Sequence, residues 1–141
     1  MNEVVATIDD VEFGAELPAF SPDTSIDNIK RFGCHVGWGG PRFTDHEAAR
    51  REGFPGALVP GVMSQGFLGA MIHRWAPTAE IVVIDTVFRA PVLADKPHMI
   101  AGVVTDIDGE AGTVEIDITV ANAAHETRVF GTATVRLPID T

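Results

Sequence analysis

Residues 36 to 73 read VGWGGPRFTDHEAARREGFPGALVPGVMSQGFLGAMIH, and the groups there able to do chemistry gather around two Gly/Pro corners. His35, beside Cys34 and just ahead of the first corner, is the imidazole placed to move a proton near that loop. Asp45 offers a carboxylate, but at the start of a helical pattern, where the helix dipole favours negative charge and gives it a structural role. Ser64 and Gln65 open the second helical stretch and can turn a hydroxyl or an amide into a pocket, with packing inside the helix as the competing reading. Gly61, with the start of that helix behind it, can present backbone N–H groups to a carbonyl oxygen. Trp38 and Phe43 exchange no proton near neutral pH; they either fill space or form an apolar wall on which a flat ligand stacks. Arg42, Arg50, Arg51 and Arg89 have the fork geometry that holds phosphate, although most arginines simply face water.

Other chemistries are poorly served. GWGG is not followed by the helix start that a nucleotide phosphate loop requires, no serine sits in a nucleophile elbow, and no His, Cys and carboxylate set has metal-ligand spacing. Neither a metal nor a cofactor is expected. The other histidines read as structural or solvated: His46 on a first helical turn, His73 at a helix end, His98 in a strand and His125 in a turn.

The elements that must position these residues follow from periodicity. Thr44 and Glu47 have the T-x-x-E spacing of a capping box, which predicts a short helix from Asp45 to about Glu52 ending at Gly53. Beyond Pro55, Gly56, Pro60 and Gly61, large apolar residues at Val62, Met63, Phe67, Leu68, Met71, Ile72 and Trp75 cover most of a helical circumference. They predict a central helix over 61–76, wrapped on nearly every side and stopped by Pro77. From Ile81 the period changes to two. IVVIDTVFRAPVL, HMIAGVVTDID, TVEIDITVAN and ETRVFGTATVRLP read as four strands, with Val114, Ile116, Ile118 and Val120 on one face of the third. DGEAG and NAAHE are the hairpin connections. Upstream, VEFGAEL reads as an edge strand and FSPDTSIDNIKRFG as a helix capped by Asp23 or Thr24. The expected class is α+β, an antiparallel sheet around a long central helix.

A chain of 141 residues without low-complexity runs or repeats is expected to be a single domain over 1–141. A net charge of -10 disfavours nucleic acid and anionic membrane surfaces as partners. One cysteine excludes an internal disulfide, and MNEVVATIDD lacks the pattern of a secretory leader, so a cytoplasmic location is expected.

Four stretches in order carry a resemblance. GWGGPRFTDHEAAR is similar to the G-D-x-N-P-x-H-x-D-x-x-x-A-R segment of the MaoC-like hydratases and dehydratases, GFPGALVPGVMSQGFL to their G-F-x-x-x-I-V-H-G-M segment, VFRAPVLADKPHMIAGVVTDI to their F-x-x-P-V-x-x-G-D strand pair, and GTATVRLP to their closing strand. The resemblance spans nearly the whole chain and implies the hotdog fold, acyl thioesters such as acyl-CoA as substrates, and hydration of an enoyl group or the reverse. That chemistry uses an Asp/His pair to activate water and a backbone amide at the carbonyl. Carried across, Gly37, Pro41, Asp45, Ala48, Gly53, Phe54, Val59 and Gly61 match. The catalytic Asp position holds Trp38, the Asn position Gly40, the catalytic His position Phe43 and the second-corner His position Pro60.

The resemblance therefore implies a substrate-binding frame of Trp38, Arg42, Phe43, Pro60, Gly61 and Gln65 without its usual acid and base. Three readings follow. The chain is a pocket-shaping subunit of a heteromeric hydratase, paired with a MaoC-like subunit that keeps the Asp and His. Alternatively it is a thioesterase, isomerase or cyclase working through His35, Asp45, Ser64 or a bound water, or it binds a hydrophobic ligand without turnover. A homodimer or heteromer is expected, because such a sheet leaves edges uncovered.

Overall fold

The computed structural model describes residues 4–139. After a short 3-10 turn at Ile8–Asp10 come helices α1 (Ile26–Val36), α2 (Pro41–Thr44), α3 (His46–Arg51) and α4 (Gly61–Trp75), then strands β1 (Glu80–Phe88), β2 (His98–Asp108), β3 (Thr113–Asn122) and β4 (Thr127–Arg136). The change of period at residue 81 is thus the change from helices to sheet.

The strands form one antiparallel sheet in the order β1-β4-β3-β2. On β3 the alternate residues Val114, Ile116, Ile118 and Val120 are each at most 1% exposed and form the floor of the core. α4 lies on that floor through Met63, Leu68, Met71, Ile72 and Trp75, all buried. The spacing of three and four residues among Leu68, Met71, Ile72 and Trp75 puts them on one side of a helix.

The other side of α4 differs from the expectation of a wrapped helix. Val62 is 68% exposed, and Gly66, Ala70 and His73 continue an exposed stripe along the axis. The large apolar residues do surround much of the circumference, but the sheet curves round only the heavier face. A small-residue flank gives it nothing more to bury.

The sheet's two margins are treated differently. Along β2, residues 14–20 run antiparallel without becoming a regular strand, bonding through Leu17 N–H to Gly102 O, Ile100 N–H to Phe20 O and Val104 N–H to Ala15 O. The edge strand expected from VEFGAEL is reduced to this series of bridges. β1 pairs with β4 alone among the described residues, and Val82, Val83, Val87 and Phe88 on it are about half exposed. Opposite, Gly131 of β4 is a position where backbones touch: an added Cβ would collide with the Asp85 carbonyl.

Leu68 has no exposed surface and sits where α4 meets the sheet. Leu68→Ala is expected to cost about 2–5 kcal/mol, read as a lower denaturant midpoint with an unchanged slope.

Candidate functional site

The first corner is built by a helix end followed by a helical turn. Ser25 caps α1, its Oγ accepting the Asn28 N–H, while Asp23 accepts the Ser25 N–H one step earlier. The cap expected at Asp23 or Thr24 falls instead on Ser25; Thr24 is drawn away, its hydroxyl donating to Lys96 O at 2.7 Å. Gly37 closes α1 at φ 68, a left-handed conformation that favours glycine. Pro41 then starts α2, with its fixed φ suited to a first helical position.

That added turn moves the next cap. Thr44 ends α2, its hydroxyl reaching back to Gly40 O at 3.4 Å, and Asp45 instead caps α3 by accepting from Glu47 N–H and Ala48 N–H. The Thr44/Glu47 capping box does not form. The Asp45 carboxylate that sequence offered for chemistry is bound to backbone amides.

α2 presses Phe43 against Trp38, ring centroids 4.7 Å apart and planes tilted by 44°. The two rings border a cavity of about 420 Å3, lined also by Ile29, Lys30, Gly33 and Cys34. Trp38 remains 48% exposed, so one face of the indole is open to water. His35 lies on the exposed flank of α1 and has no hydrogen-bond partner among the described residues. It does not line this cavity.

The second corner is held from two sides. Leu58 N–H donates to Arg42 O and Val59 N–H to Val92 O, bringing the chain to Pro60 at the head of α4. Pro60 is fully buried, and the Gly61 Cα faces the Phe88 ring, where an added Cβ would stand 3.0 Å from Cζ. No side chain caps this helix, and the Gly61 and Val62 N–H groups have no acceptor among the described residues. Such amides carry the partial positive charge of a helix start.

Gln65 is tied down, its Nε2 donating to Thr86 Oγ1 at 2.9 Å and joining α4 to β1. Ser64 is buried at 1% exposure. Arg42 pairs with Glu52 at 2.6 Å and lies over the Phe54 ring. Trp38 and Phe43 therefore meet around one cavity, while Pro60, Gly61 and Gln65 gather at the α4–β1 contact. Arg42 braces the loop between them. No group of three His, Cys, Asp or Glu residues suited to a metal occurs among the described residues.

The residue that sequence reasoning missed is His46. Read as solvated, it is a bracket: Nδ1 accepts the Ala57 N–H at 2.9 Å, which leaves the proton on Nε2 to be donated to Asp95 Oδ2 at 2.8 Å. Asp95 also accepts the Ile26 N–H through Oδ1, and its own N–H donates to Thr24 O. The helix α3, the second corner, the β1–β2 connection and the start of α1 thus meet at one imidazole–carboxylate pair. The hydrogen bond from His46, followed by that from Ile26, holds the Asp95 carboxyl below its ordinary value. No local pattern reveals this, since the partners lie 11 and 49 residues away.

No protein-family model matches the sequence, and no curated protein matches it either. Solved structures do match. The (R)-hydratase from A. caviae involved in PHA biosynthesis superimposes with a TM-score of 0.85 at 16% identity, covering 91% of this chain and 98% of that one. The ChsH1-ChsH2 complex from Mycobacterium tuberculosis gives 0.81 at 19% identity, covering 91% and 99%. The MaoC-like dehydratase from Rhodospirillum rubrum gives 0.75 at 16%, covering 95% and 99%. At these identities the likeness is one of fold: the chain has the hotdog fold.

His46→Ala strands the Ala57 N–H in a fully buried stretch, at an expected cost of about 1–3 kcal/mol. It should also let the Asp95 carboxyl rise toward its ordinary value, followed by carboxyl-carbon NMR. Because the folded value is the lower one, the stability linked to Asp95 is present above the unfolded carboxylate range. It is lost as pH falls through the folded value, and the variant should lose less on acidification.

Proposed function

We propose that the chain is a MaoC-like member of the enoyl-CoA hydratase and dehydratase class that has given up the Asp/His pair and serves as the pocket-shaping subunit of a heteromeric enzyme. The observation that carries this reading is the pairing of Trp38 with Phe43, at the positions where the resemblance places the acid and the base. The loop keeps its turn, its proline and its cap, while the groups able to move a proton are replaced by rings in mutual contact. The amides of Gly61 and Val62 support binding of a thioester carbonyl, because a backbone donor survives any change of side chain.

The acyl portion would lie along the Trp38 wall, which favours a rigid, flat or polycyclic group over a short flexible one. The exposed apolar residues of β1, together with Val62 on α4, support association with a partner of the same fold. The ChsH1-ChsH2 structure, which shares this fold, was solved as a complex. A MaoC-like partner retaining Asp and His would then supply the proton transfers, in the cytoplasm, with no metal or cofactor.

Purified alone, the protein is expected to hydrate crotonyl-CoA and longer enoyl-CoA compounds negligibly, measured as loss of enoyl absorbance. Turnover on the order of 1 per second or more would overturn the proposal. Binding is read separately through Trp38. In a Trp75→Phe protein, where Trp38 is the remaining indole, acyl-CoA added with the partner subunit should change the emission. Trp38→Ala should weaken binding while leaving the thermal midpoint nearly unchanged, because that ring is half exposed whereas Trp75 is core.

A further inference from the structure

At one end of the sheet a second concavity, of about 250 Å3, is lined by Lys96, His98 and Arg128 between apolar walls of Leu93, Pro97 and the alanines of the β3–β4 turn. It shares no lining residue with the Trp38 cavity. His98, the first residue of β2, is only 4% exposed, whereas Lys96 on the rim is open to water.

The concavity holds an unanswered acceptor. His98 Nδ1–H donates to the Lys96 carbonyl at 2.9 Å, which fixes the tautomer and leaves Nε2 with no partner among the described residues. Burial above all, and with it the Arg128 charge, outweighs the pull of the Lys96 carbonyl and holds this imidazole below its ordinary value. Nε2 therefore carries no proton near neutral pH. The concavity also holds charge without a counter-charge. Lys96 and Arg128 form no ion pair among the described residues. Asp95 and Glu126, the carboxylates close to them in sequence, accept from His46 and Ile26 and from Asn122 respectively. No acidic side chain lines the concavity, although the protein as a whole has a net charge of -10.

Two cations without a carboxylate favour a dianion, and the attraction of Arg128 acts through space, since its Nε is enclosed by protein and meets no ligand. The Lys96 ammonium is exposed, and its flexible stem lets it swing to the anion and donate. The His98 lone pair sets a second requirement: the anion must bring a proton of its own. At about pH 8, sulfate and a phosphate monoester, whose last proton leaves at about pH 6, each carry two charges but no hydroxyl. A hydroxycarboxylate has the hydroxyl but a single charge. Inorganic hydrogen phosphate has both. We propose that this concavity binds inorganic hydrogen phosphate, one oxygen accepting from Lys96 Nζ and the P–OH donating to His98 Nε2. The site is independent of the function assigned to the Trp38 wall.

The test is an NMR titration of the full chain carrying isotope-labelled histidine, at about pH 8 and at an ionic strength held constant with chloride. The His98 ring signals are assigned through their correlation to the His98 backbone. Inorganic phosphate is expected to move the Nε2 resonance along a saturable curve. Sulfate and methyl phosphate should bind roughly tenfold more weakly for want of the donated proton, and lactate for want of the second charge. Lys96→Gln should weaken phosphate binding roughly tenfold with an unchanged thermal midpoint, because that side chain is exposed. An unmoved Nε2 resonance, phosphate binding unaltered in Lys96→Gln, or any of sulfate, methyl phosphate and lactate binding as tightly as phosphate would each overturn the proposal.

Discussion

The structure depends on the seating of α4 on the inner face of β3. Leu68, Met71 and Ile72 have no exposed surface, nor have Val114, Ile116 and Ile118 beneath them. Each such side chain contributes on the order of 1.5–3 kcal/mol by leaving water, and α4 reaches β1 and β2 as well as β3. Everything functional is suspended from this contact. The second corner is the chain's approach to α4, and the first corner is carried against it by backbone bonds between Arg42 and Leu58.

The candidate site then divides by chemistry. Groups belonging to the backbone, the amides at Gly61 and Val62, are fixed by the helix and persist whatever the sequence does around them. The side chains that the first corner presents are the rings of Trp38 and Phe43, and the nearby ionisable residues are engaged in holding the loops. Asp45 serves amides, Arg42 serves Glu52, and His46 serves Ala57 and Asp95.

What was legible in the sequence was what repeats locally. The period of two in β3 and the spacing of three and four in α4 place both elements within a residue of their observed ends, because burial acts on every turn or pleat in the same way. The stretches where sequence misled are those where competing short-range options have similar energies. Thr44 and Asp45 are both good caps, and only the extra turn begun by Pro41 decides between them. Thr24 was lost as a cap to a carbonyl 72 residues away. The roles of His46 and Asp95 come from contacts between separate elements, and no periodicity encodes those.

Asp95 illustrates a conflict written into one position. Its φ of 62 lies in the left-handed region, which glycine enters freely and asparagine and aspartate more readily than other residues. Its side chain meanwhile accepts from both Ile26 and His46. Glycine would relieve the backbone and dissolve the bracket; glutamate would keep the charge and strain the backbone. Asparagine satisfies the conformation and one acceptor, but forfeits the charge. The substitutions open to this position are therefore very few, and a drifting lineage would find the surrounding loops free to vary long before this residue was.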